Sequence, residues 1–200
     1  MYIIGLTGNI ATGKSAVLKF LGELGAEVID ADRIAHEAIQ PGASGYLKVI
    51  GAFGTDIVTS DGSIDRKRLG EIVFSDGDHL RRLEQIVHPL VHERIVERLQ
   101  QVDKPVVVIE AIKLVEAGLT ALCNEVWVVS SPKEAQLARL RASRTLSRAE
   151  ALLRINAQPP QKEKIKVANV VIKNTGSLED LRQRVVEEWA RVQQLSPSPQ

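Results

Sequence analysis

Aromatic residues occupy only 4% of this 200-residue chain, so any core it builds must be aliphatic. A single cysteine, Cys123, excludes an internal disulfide and any cysteine-built metal site. Apolar runs reach about six residues at most, against the roughly 18 that a membrane-crossing helix needs. No basic and apolar leader opens the chain, so a secretory signal is not expected and a reducing cytoplasm is. A dominant charge sign is missing too: 26 Lys and Arg stand against 25 Asp and Glu, leaving +1. Chains that coat nucleic acid are normally strongly basic, so neither nucleic acid nor membrane is expected as a partner. What remains is ordinary globular material, 44% apolar and 26% charged, enough to build a core.

Hydrophobic patterning points to an α/β fold. Tyr2–Leu6 reads as a short buried strand, and from Lys14 the spacing of Val17, Leu18, Leu21 and Leu24 turns helical until Gly25. Further short strands are predicted at Glu27–Ile29, Val106–Ile109, Val126–Val129 and Val170–Ile172. Strands separated by helical stretches imply crossovers, hence a mostly parallel five-stranded sheet with helices on both faces. Residues 33–104 are too long for one crossover and read as a mostly helical insertion suited to a second substrate. Within them Leu80, Leu83, Ile86, Val87, Leu90 and Val91 keep helical spacing, and Pro89 predicts a break or kink near His88. Pro41-Gly42 and Asp61-Gly62 predict turns, and Phe53, Leu69 and Phe74 are expected in the insertion core. Leu178, Leu181, Val185, Trp189 and Val192 predict a closing amphipathic helix, with residues 196–200 a frayed tail. The core is thus expected over residues 1–32 and 105–195.

Between the first strand and the first helix lies Gly8-Asn9-Ile10-Ala11-Thr12-Gly13-Lys14-Ser15, followed by Ala16. It satisfies G-x-x-x-x-G-K-[ST], the loop that cradles nucleotide phosphates. Gly8 and Gly13 permit a backbone turned inward, so successive amides can surround phosphate oxygens. The helix beginning at Lys14 adds the positive end of its dipole. Lys14 has the reach for β- and γ-phosphates, and the Ser15 hydroxyl suits Mg²⁺. ATP and Mg²⁺ are therefore the expected cofactors.

A GTPase needs an N-K-x-D segment, which is absent, and the strand Val106–Ile109 ends in Glu110-Ala111 rather than in the Asp-Glu of transporter ATPases. Residues 139–173 carry nine basic side chains and two acidic ones. Such local excess suits a basic lid, over about 139–166, that clamps a polyanion; a solvated helical face is the rival explanation. Small-molecule kinases combine these parts.

The chain resembles the dephospho-coenzyme A kinases. The resemblance is carried by Gly5-Leu6-Thr7-Gly8 through Ser15, by Val28-Ile29-Asp30-Ala31-Asp32, and by Ile86-Val87-His88-Pro89. It continues through Glu116-Ala117-Gly118-Leu119, Arg154-Ile155-Asn156-Ala157-Gln158 and Asn174-Thr175-Gly176-Ser177-Leu178. It implies a P-loop NTPase fold with a helical acceptor-binding insertion and a basic lid. It also implies phosphorylation of the ribose 3′-hydroxyl of dephospho-coenzyme A by ATP, the last step of coenzyme A synthesis. The partners would be those small molecules, with the chain a monomer or weak homo-oligomer. Another nucleoside monophosphate or small-molecule kinase, or a non-catalytic ATP-binding module, is the alternative.

Within that frame Asp32, just past a strand end, is expected to orient the attacking hydroxyl or help hold Mg²⁺, against a plain helix-capping role. Asp30 serves the substrate or tunes Asp32. His88 and Pro89 contact the substrate, or His88 simply bonds backbone at a helix break. Arg139 and Arg154 meet ATP phosphates, since guanidinium forks match phosphate oxygens. Asn174 and Gly176 surround adenine or form a plain turn. Departures from the family pattern are Asn9 for a glycine, Ala16 for a threonine, Glu110 for an aspartate, Ala111–Lys113 for Pro-Leu-Leu, and an arginine at 144 rather than one place earlier.

Overall fold

The computed structural model describes residues 1–144 and 146–196, without the side chains of residues 143 and 144. The shifted Arg144 side chain and residues 197–200 of the expected 196–200 tail lie outside the described residues, while the Ser196 amide still bonds the Val192 carbonyl at 2.9 Å. In chain order the elements are β1 (Tyr2–Gly8), α1 (Lys14–Glu23), β2 (Glu27–Asp30), α2 (Ala31–Glu37), α3 (Tyr46–Phe53), α4 (Arg66–Ser75) and α5 (Gly77–Leu99). They continue with β3 (Val106–Glu110), β4 (Glu125–Ser130), α6 (Lys133–Arg144), α7 (Arg148–Asn156), α8 (Gln161–Ile165), β5 (Val170–Lys173) and α9 (Leu178–Leu195). Two compact units result: Met1–Ile29 with Asp103–Gln200, and Asp30–Val102.

The first unit is built on a five-stranded sheet in the order β2-β3-β1-β4-β5. β1 is central and runs parallel to β3 (Leu6 opposite Glu110) and to β4 (Gly8 opposite Val129), and β5 runs parallel to β4. Alternation sends Ile4, Leu6, Val106, Val108, Trp127 and Val129 to one face, where they meet Val17, Phe20 and Leu21 of α1 and Leu181, Val185, Trp189 and Val192 of α9. Each fully buried aliphatic or aromatic side chain there contributes about 1.5–3 kcal/mol. On the opposite face Gly5 is required by packing: a Cβ there would stand 2.8 Å from both the Cys123 sulfur and a Leu114 methyl. Cys123 is a half-buried apolar filler whose thiol is pushed up to about 12 by burial. Glu125 and Arg191 tie β4 to α9 by a two-pronged bond of 2.7 and 2.6 Å, and Trp127 Nε1 donates to the same carboxylate at 3.0 Å.

The second unit is built of α2 to α5. The break that Pro89 allowed does not occur: α5 runs for 23 residues with Pro89 inside it. Proline deletes one amide donor, but Val87, Leu90, Val91 and Ile95 are buried along the helix on both sides, and that burial holds it together. Leu69 is buried and Phe53 half-buried against His79, ring centroids 6.2 Å apart. Phe74, expected in this core, is instead 78% exposed near the end of α4.

Candidate active site

β1 ends at Gly8, where a Cβ would lie 2.7 Å from the Val129 carbonyl oxygen, so the chain can turn there only without a side chain. Ala11 takes the left-handed region at φ 57° and Gly13 at φ 102°. The alanine does so at a cost of about 1–2 kcal/mol, which surrounding bonds must offset. Thr12, fully buried, folds its hydroxyl back onto the Asn9 carbonyl at 2.9 Å. Gly13 caps α1 without a side-chain bond, leaving the first amides of the helix turned toward the loop. This is the geometry of an anion cradle.

Lys14 opens α1 and its Nζ pairs with Glu110 at the end of β3, both nearly buried at 13% and 10% side-chain exposure. Ser15 follows in the first turn. β3 thus delivers a carboxylate to the cradle lysine.

Under the loop lies a polar scaffold, most of which sequence reasoning did not foresee. Arg139 Nη1 donates to the Ala11 and Thr12 carbonyls at 3.1 and 3.4 Å and to Ser131 Oγ at 2.9 Å, while Nη2 reaches the Asn174 carbonyl at 3.5 Å. These bonds hold the strained Ala11 turn from below, so the guanidinium expected on phosphate is placed on the carbonyls that shape the cradle. Asn174 is buried, and its amide donates to the Thr12 carbonyl at 2.8 Å, close over Gly13. Ser131 donates to the Asn174 carbonyl at 2.9 Å and is framed by Gln136 and Gln161. Gly176 lies against the Asp180 carboxylate of the Ser177 capping box, which leaves no room for a side chain.

The segment between α7 and α8 grips the loop's rim: Asn9 donates to the Pro159 carbonyl at 2.8 Å and the Ile10 amide to Gln158 at 2.6 Å. Ile10 and Ala11 also pack on the apolar cluster of Leu137, Leu140 and Ala151. Lys164, grouped by sequence with the basic lid, is buried instead and donates to Thr7 Oγ1 at 3.3 Å and to the Ile112 carbonyl. Arg154 stands exposed in the last turn of α7, its charge felt by Glu150.

In the second unit Asp30, not Asp32, caps α2, accepting the Arg33 amide at 2.8 Å. Asp32 lies half-buried in the first turn of that helix. His88 is half-buried within α5, beside an exposed Pro89.

Residues 2–180 match the profile of the family described as dephospho-CoA kinase. The chain belongs to that family. It is 47% identical over 194 residues to the dephospho-CoA kinase of Geobacter sulfurreducens, covering 96% of this chain and 98% of that one. A crystal structure of a Thermus thermophilus protein superposes with a TM-score of 0.82 at 37% identity, covering 95% and 97% of the two chains. The dephospho-CoA kinase of Campylobacter jejuni superposes at 0.69 and 34% identity, covering 95% and 96%. As a dephospho-CoA kinase family member the chain is a P-loop kinase, and the alternatives of a different small-molecule kinase or a non-catalytic module fall away. Among the described residues no helix is long and apolar enough to cross a membrane.

Proposed function

We propose that this enzyme transfers the γ-phosphoryl group of ATP to the ribose 3′-hydroxyl of dephospho-coenzyme A, giving coenzyme A and ADP. The observation that carries this most directly is the loop itself, with Gly13 left-handed and Lys14 opening α1 beside Glu110, in a chain of this family. The amides of the loop and Lys14 hold the phosphate tail and neutralise charge that spreads over the transferring group. Asp32 accepts a hydrogen bond from the acceptor hydroxyl, aims its oxygen at the γ-phosphorus and takes its proton as the new bond forms. Support for that role is the position of Asp32 in the first turn of α2, two residues past the capping Asp30, so that the helix cap is not its task. Asp30 thereby fixes the turn on which Asp32 stands. Arg154 meets phosphate on lid closure, a role its exposure at the end of α7 supports. Arg139 acts one step removed, through the loop carbonyls it holds.

The donor set suits Mg²⁺ in kind. Ser15 offers a hydroxyl at the head of α1 and Glu110 a carboxylate beside Lys14; this ion takes one or two such oxygens together with substrate phosphates. Bound there, it would supply positive charge to the β- and γ-phosphate oxygens.

A coupled ADP-release assay with purified protein tests the reading. Turnover is expected with dephospho-coenzyme A and not with nucleoside monophosphates; the reverse pattern would reject the acceptor assignment.

A further inference from the structure

α2 carries two rows of side chains at i,i+4 spacing. In one, Arg33 and Glu37 neutralise each other at 2.7 Å. In the other, Asp32 is followed by His36, whose Nε2 meets Arg66 Nη2 at 2.8 Å. A guanidinium only donates, so His36 Nε2 is the acceptor and its ring is neutral with the proton on Nδ1. Partial desolvation and then Arg66 itself hold the His36 pKa below its ordinary value, in keeping with that tautomer.

Arg66 differs from its neighbours in how its charge is used. Arg33, Arg68 and Arg81 of the same unit face Glu37, Asp56 and Asp78. Among the described residues no carboxylate forms an ion pair with Arg66; an imidazole holds it instead, and the residue is exposed. Its backbone is equally fixed. Asp65 caps α4 and takes up the amides of Lys67 and Arg68, setting Arg66 as the first helical residue. An anion approaching here would therefore be met by the side chain and not by the helix end. A neutral acceptor costs little to leave, so the arrangement holds a cation in place without consuming its charge.

We propose that Arg66, steadied by His36 one helical turn beyond Asp32, binds the 5′-diphosphate of the acceptor nucleotide. This rests on the kinase reading above and deepens it by naming how the acceptor is recognised. The order along the surface fits: Asp32 and His36 have Cβ atoms about 5–6 Å apart on α2, Arg66 lies beyond the His36 ring, and a nucleotide likewise carries its diphosphate on the far side of the ribose from the 3′-hydroxyl. Asp32 at the hydroxyl and Arg66 at the diphosphate would thus fix one nucleotide at two points, and the planar fork of Arg66 suits two phosphate oxygens. Arg66 is a binding residue; His36 is a positioning residue that acts through it.

Steady-state kinetics with dephospho-coenzyme A and ATP test this, together with adenosine, which keeps the 3′-hydroxyl and lacks the diphosphate, as competing ligand. Arg66→Gln is expected to raise the KM for dephospho-coenzyme A tenfold or more. The KM for ATP, the saturated kcat and the inhibition constant of adenosine stay within twofold. Calorimetric binding of dephospho-coenzyme A without ATP should weaken by the same factor. Arg66→Lys should fall between, keeping charge and losing the fork. His36→Leu should raise the same KM more modestly, and His36→Gln, whose carbonyl still accepts from the guanidinium, should recover it. Arg33→Gln is the silent control. The proposal is overturned if Arg66→Gln leaves the dephospho-coenzyme A KM unchanged, or weakens adenosine equally. A wild-type enzyme inactive on dephospho-coenzyme A would instead overturn the kinase reading, and this proposal with it.

Discussion

Lys14 carries two burdens in this fold, and they can be separated. Its ammonium is the cradle's side-chain cation, so its removal is expected to lower kcat by about 10²–10³-fold, the usual loss when one transition-state donor goes. It is also the partner of a nearly buried Glu110, and breaking such a pair costs about 3–5 kcal/mol because one charge is left stranded. Lys14→Met should therefore be both inactive and unstable, whereas Lys14→Met with Glu110→Gln should regain stability while staying inactive. Urea unfolding beside initial rates distinguishes the two losses. Asp30 and Asp32 divide in the opposite way. Asp30→Ala should cost about 1 kcal/mol, the worth of an N-cap. Asp32→Asn should leave stability within about 0.5 kcal/mol but reduce kcat by about 10²–10⁴-fold, the contribution of a positioned base, with the KM for ATP unmoved. Equal kcat values for Asp32→Asn and wild type would remove the general-base role.

The β4–α9 clasp shows how a single carboxylate makes an element's attachment depend on pH. Arg191, Trp127 and Tyr2 hold the Glu125 carboxyl down to about 2 against an ordinary 4.5, the Arg191 bonds contributing most. A depressed folded-state value means the stabilisation is complete above the unfolded value near 4.5 and is lost as pH falls toward 2. Glu125→Gln should thus lower stability at pH 7 by about 2–3 kcal/mol, and the two proteins should converge as the pH approaches 2. A constant difference across pH 7 to 2.5, measured by urea midpoints, would contradict this. Similar local physics decides what could be read from the chain beforehand. β1, the phosphate loop and α1 were legible because strand, glycine turn and helix signals agree over adjacent residues. Pro89 does not break α5, because tertiary burial of Val87, Leu90 and Val91 overrides the local rule. Capping stayed a rival role for Asp32 because both aspartates are good caps, and two residues of boundary position choose between them. Lys162, Lys164 and Lys166 looked alike by composition; yet spacing puts the first and last on one side of α8 and Lys164 on the other, the side that is buried. The Ser131, Arg139 and Asn174 scaffold joins residues up to 162 positions apart, which no local pattern encodes.

The whole chain offers a test through nucleotide linkage. ATP at about 100 times its dissociation constant stabilises a binding-competent fold by about 2.7 kcal/mol. For a protein of this length that raises the melting temperature by about 5–10 °C. The stable Lys14→Met, Glu110→Gln double variant should show a much smaller shift; an undiminished shift would place the nucleotide away from the loop. The division expected at residues 33–104 rests on helical periodicity that contrasts with the short strands on either side, and the compact unit of the fold spans Asp30–Val102. The expected setting in a cytoplasm and the expected monomer or weak homo-oligomer concern surroundings that a single chain's packing does not encode.

Both tryptophans, Trp127 and Trp189, are buried in the sheet unit, and Asp30–Val102 has none. Indole emission is therefore an intrinsic optical gauge of one unit, whereas far-ultraviolet dichroism registers the helices of both. Superimposable melting traces from the two signals would mark a single cooperative transition. Traces that separate would time the loss of the helical unit against that of the sheet, with no dye or label attached.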